Sequence, residues 1–302
     1  MFEGVVVNQV NGGLNRKGLV DDGVCLLIIG GAVAATGLAL KVAKELLTIE
    51  NAEALGINAS YDDTNDILAH HHIDEFFRLS PDGNLFVVLD DGTLTADEIK
   101  AILKANHSIS AVGFVRNGAA PADMAVYVAG YQTIIDELKS ENRYIPSVLV
   151  EGNQFVLATL ISAYPDARTT YDSANVSIVI AQDPIIAALD AAHVNYGAIG
   201  SALGMLSVRA VNENLGSVNI DNKPSYAKAQ SDYPLTNLAR SRWLTAGLQD
   251  GKDASALSKA EVDALNDKGY IFVSSYNGYP GFFFNDSHTA VVSSSDYSRI
   301  EN

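Results

Sequence analysis

The run VCLLII, Val24–Ile29, most constrains what this chain can fold into. It is apolar at every position instead of alternating, as expected of a strand covered on both faces. Strands buried on both faces belong to sheets sandwiched between helices, and strand and helix signals alternate at least four times between residues 24 and 192. The strand candidates are Val24–Ile29, Leu85–Leu89, Ser110–Val115, Ser147–Val150 and Val176–Ala181. Between them the spacing predicts helices over Thr36–Ile49, Thr64–Leu79, 96–106 and Ala122–Ser140, and a long helical region from Pro184 to about Asn212. Thr95 with Glu98, and Ser258 with Glu261, form capping-box signatures; the second opens a helix that stops near Gly269. Tyr270–Ser275 and Gly281–Phe284 read as two short strands joined by the turn signal YNGYP. The expected fold is α/β: three layers, a mostly parallel sheet with helices on both faces, and an extended N-terminal arm. Residues 1–22 form the arm and its Gly/Asn-rich linker, 23–215 the core, and 216–302 a loop crossing and a C-terminal α/β segment completing it.

Charge and cysteine usage exclude several function classes. The formal net charge is −16 and the sequence pI is near 4.6, so the surface repels phosphate backbones and nucleic acid is not an expected partner. No apolar stretch is long and unbroken enough to insert in a membrane, because Val24–Leu40 is interrupted by Gly30, Gly31 and Gly37. The N-terminus carries no secretory signal, so folding in a cytoplasm is expected. The single cysteine, Cys25, excludes an intrachain disulfide and a Cys-based zinc site and reads as a core thiol.

Motifs that could carry chemistry are few. GVCLLIIGGAVAATG is similar to a dinucleotide-binding turn, but its spacing is G-G-x5-G and no acid ends a second strand about 20 residues on. An α/β enzyme using the Gly30, Gly31 and Gly37 turn for a nucleotide or small ligand is the second hypothesis. Consecutive His70, His71 and His72 point about 100° apart on a helix and do not converge on one metal ion, so a solvated face is expected. His70 and Asp74 are four apart and could share a face. Ser201 lies in G-S-A-L-G, where small residues suit close helix packing. His288 has Asp286 and Ser287 beside it in sequence, which does not make a triad. The pairs Asp62–Asp63 and Asp90–Asp91, and Asp250 to Asp253, read as solvated turn residues. No catalytic, cofactor or metal site is expected.

Residues 269–302, GYIFVSSYNGYPGFFFNDSHTAVVSSSDYSRIEN, resemble the tail sheath proteins of contractile bacteriophage tails and related injection machines. The likeness rests on the Gly-aromatic segment Gly278–Phe284, on Asn285–Ala290, on Asp296-Tyr297 and on Ile300–Asn302. Residues 198–217, AIGSALGMLSVRAVNENLGS, and the arm followed by VNGGLNRKG are similar more loosely. The resemblance implies a structural subunit with a subtilisin-like α/β core lacking catalytic residues. It implies partners as well: copies of itself in six-membered rings stacked into a helical sheath, an inner tail tube, and a baseplate. Contraction would drive the tube through a target envelope, and the place of action would be a virion tail assembled in a bacterial host cytoplasm. Terminal arms adding strands to a neighbour's sheet would link subunits, and here Phe2, Val5, Val6, Val7 and Val10 would form the added strand. Sheath proteins continue past the point matching Asn302, so weak or no polymerisation is the expectation for the chain alone.

Overall fold

The computed structural model describes residues 23–117, 123–152, 161, 164–208, 215, 243, 245–249, 253, 257–274, 282–285 and 289–291. The arm residues Phe2, Val5, Val6, Val7 and Val10, the crossing at 216–235 and the motif around His288 lie outside the described residues.

A seven-stranded sheet forms the middle layer, in the order β2-β3-β1-β4-β5-β6-β9. Its strands are β1 Cys25–Ile29, β2 Lys44–Leu46, β3 Leu85–Leu89, β4 Ala111–Val115, β5 Ser147–Glu151, β6 Val176–Val179 and β9 Tyr270–Ile271. Every neighbouring pair is parallel except β2 with β3. The pleat explains the apolar run. Cys25, Leu27 and Ile29 enter the core on one face, while Val24, Leu26 and Ile28 enter the core on the other. Each such side chain contributes about 1.5–3 kcal/mol by leaving water, so only a strand covered on both sides keeps so apolar a sequence.

Helices supply the outer layers. On the first face lie α1 Ile49–Ala54, α2 Ala59–Asn65, α3 Ala69–Leu79 and α8 Ile199–Val208; on the second lie α4 Ala96–Ala105, α5 Met124–Ser140, α6 Ala167–Tyr171 and the last helix, α9 Lys259–Asp267. Both predicted capping boxes are formed, at Thr95 and at Ser258. Two small antiparallel pairs flank the sheet, β7 Ala181–Gln182 with β8 Gly247–Leu248, and β10 Val273–Ser274 with β11 Phe283–Phe284. The second pair lies where two short strands were expected, but Tyr270–Ser275 is not one strand: Tyr270–Ile271 joins the large sheet and Val273–Ser274 pairs with Phe283–Phe284, whose side chains are buried.

Three helix predictions are corrected. Thr36–Ile49 is not a helix. Gly37 donates to the Leu55 carbonyl (2.8 Å), Lys41 takes a left-handed φ of 62° and donates to the Leu89 carbonyl (2.8 Å), and the chain then runs as β2 beside β3. Tertiary hydrogen bonds along this segment outweigh its helical spacing, and the helix is deferred to α1. No helix follows Gly30 and Gly31 directly, and a helix N-terminus at that point is the element on which phosphate binding by this motif depended. The predicted Thr64–Leu79 helix is split at Asp66, whose φ of 51° ends α2. The region from Pro184 breaks into the single turn α7 Pro184–Ala187, a 3-10 turn at Ala191–His193, and α8. Asp183 and Asp190 cap the first two, each accepting from the backbone N–H two residues on.

Candidate functional site

Helices α3 and α8 cross at small residues. A Cβ at Gly200 would collide with the His72 carbonyl oxygen, and one at Gly204 would sit 2.9 Å from that of Phe76. Ser201 is buried in this seam, so close packing is the role the structure gives G-S-A-L-G.

A fully buried polar cluster is built on the seam. Glu75 and Arg78, one turn apart on α3, form a two-pronged ion pair at 2.6 and 2.7 Å. Glu75 Oε2 also accepts from Ser201 Oγ (2.7 Å) and from Trp243 Nε1 (3.0 Å). Burial pushes the Glu75 carboxyl up, but the hydrogen bonds and charge of Arg78, with help from His71 and Ser201, outweigh it and bring it down to about 2. Its lone pairs are taken by these donors, so Ser201 is held by an ion-paired acid and not by a free base. His72 is buried and accepts from Gly200 N–H through Nδ1 (3.2 Å), and burial drives its imidazole well below the usual range.

The second feature stands at the carboxyl ends of the parallel strands. Glu151, closing β5, is buried; its Oε2 accepts from Arg116 N–H (2.7 Å) and its Oε1 from Gly197 N–H (2.9 Å). It thereby ties the end of β4 to the approach into α8. Burial pushes its carboxyl up, partly offset by the Arg116 charge and these N–H groups. Arg116 donates through Nη2 to the Gly152 carbonyl (2.9 Å), and its guanidinium stands 5.9 Å from the Tyr127 ring centre. Asn117 closes the turn after β1 by donating to the Gly30 carbonyl (2.8 Å). Strand order reverses beside β1, where α/β sheets commonly hold ligands, and here Asn117 lies across that position.

The third is an open cleft of about 310 Å³ between the α2–α3 junction and residues 186–193. Asp62, Asp63, Asp66 and Asp190 line it, with His70, His71 and His193. Two sequence expectations are corrected here. Asp62 is buried, not a solvated turn residue: its two oxygens accept from the His70 and His71 N–H groups, both at 2.9 Å, and so cap α3. Burial raises its carboxyl to about 6 against those donors. Nor do the three histidines form a solvated face. His72 is core, His71 packs on the Tyr196 ring, and His70 pairs with Glu53 (3.3 Å). Asp90 does cap a tight turn, accepting from the Gly92, Thr93 and Leu94 N–H groups, with Gly92 at φ 89°.

Sequence reasoning missed Glu75, Arg78, Glu151 and His193. A signal existed for the first pair: oppositely charged residues three apart, embedded in the apolar stretch of α3. Glu151 shows itself only as an acid ending an apolar strand, and His193 gives no local signal. Among the described residues no His, Cys, Asp or Glu group is placed to hold a metal ion. No helix among them is long and apolar enough to cross a membrane. No curated protein matches the chain. A family model described as DUF2586, N-terminal domain, matches residues 2–288, and the chain belongs to that family.

Proposed function

We propose that the protein is a structural subunit of a contractile sheath-type polymer, linked to its neighbours by the N-terminal arm. Its partners in that reading are further copies of itself in stacked rings, an inner tube and a baseplate, and its place is a virion tail. The resemblance carried by residues 269–302 motivates the reading. The observation that supports it best is the edge of the sheet. β2 pairs with β3 on one side only among the described residues, and Val42 and Leu47, just outside its two ends, are about half exposed at 49% and 56%. A free edge beside exposed apolar side chains is a template for an added strand. Residues 2–10 precede β1 through a Gly/Asn-rich linker and contain Phe2, Val5, Val6, Val7 and Val10, the residue types a strand takes. Head-to-tail contacts of this kind form rings where the rotation closes and helical filaments where it does not. The close-packed α3–α8 seam on one face of the sheet suits a body that moves as a unit while arms stay paired.

Disulfide trapping tests the linkage. In concentrated protein, where weak contacts are populated, the double variant V6C/K44C is expected to give a ladder of cross-linked oligomers on a non-reducing gel and V6C alone at most a dimer, and deletion of residues 1–10 from the wild-type chain is expected to leave the far-ultraviolet circular dichroism intact. No ladder from concentrated V6C/K44C beyond the dimer that V6C alone gives would rule out pairing of the arm with β2.

A further inference from the structure

We draw no further inference here: the strongest candidate, the small pocket at the carboxyl ends of β4 and β5 lined by Arg116, Glu151, His193 and Asn195, has a volume of about 10 Å³, room for a single water at most, and the unpartnered polar atoms of Arg116, His193 and Asn195 beside it are themselves shut from solvent.

Discussion

Gly200 and Gly130 both sit inside helices, but a Cβ on the first meets the backbone of α3, while one on the second meets nothing within 4 Å. Gly200→Ala is therefore expected to lower stability by about 1–3 kcal/mol or more, because backbone cannot step aside as a side chain can. Gly130→Ala is expected to raise it by about 0.5–1 kcal/mol through helix propensity. Urea unfolding of both variants checks the pair, and equal effects would mean the seam is looser than described. Arg78→Leu leaves the Glu75 carboxylate buried without its counter-charge and is expected to cost about 3–5 kcal/mol in the same assay. Asp183 makes the pH prediction. Burial, then the Glu75 charge, raise its carboxyl to about 6 from an ordinary 3.8. A raised folded value favours the protonated, folded form, so this contribution is complete below about 3.8 and is lost as pH rises through about 6. Glu75, brought down to about 2, acts in the opposite sense at lower pH and does not change across this window. Asp62, also raised to about 6, acts in the same sense, and His72, whose imidazole is held well below its usual 6.5, opposes both. The test is therefore a difference: the urea midpoint of the wild-type protein relative to that of Asp183→Asn, which keeps the capping oxygen, is expected to fall between about pH 5 and about pH 7. A difference that stays constant across this window would remove Asp183 as a contributor. At this scale the sequence showed which residues pack, such as Cys25 and the small residues of G-S-A-L-G. It did not show which polar residues meet, because Glu75 finds Ser201 and Trp243 more than a hundred positions away.

The elements divide by how their neighbours bond them. β1 is bonded on both sides, by β3 and by β4, whereas β2 leans, among the described residues, on β3 alone. Amides of β1 are expected to exchange with deuterium only through global opening, and those of β2 through local fraying, with protection lower by several orders of magnitude. If the arm pairs with β2 in the assembled state, β2 becomes the element whose protection rises most on assembly; unchanged β2 exchange in an assembled sample would place the contact elsewhere. The same distinction explains what could be foreseen. β1, β3, β4 and β5 are apolar on both faces and were legible one by one. The segment 36–49 has helical spacing and yet runs as loop and strand. Its fate is decided by hydrogen bonds to Leu55 and Leu89, which no local window contains. The end of α2 and the whole of α3 read as one helix, Thr64–Leu79, because the break is a left-handed Asp66 and a cap reaching forward from Asp62, and neither disturbs the apolar period.

For the whole molecule the dominant quantity is the net charge of −16. Copies of such a chain repel one another, and the repulsion shortens from about 30 Å to about 8 Å as ionic strength rises from 0.01 M to 0.15 M. Self-association, read by sedimentation velocity, is therefore expected to grow with salt if apolar strand addition drives it; association that weakens with salt would point to ion pairs across the contact. The three-layer plan was legible in the sequence from the alternation of strand and helix signals. The acid cleft was not, because it forms where residues near 62 meet residues near 190. Cys25 gives the molecule one further property. It is the single thiol of the chain, on a strand bonded on both sides and wholly shut from solvent. Its modification by a thiol reagent must wait for the sheet to come apart, so the labelling rate clocks global unfolding with no engineered probe. The ratio of that rate in free and assembled protein would measure how firmly assembly holds each subunit closed.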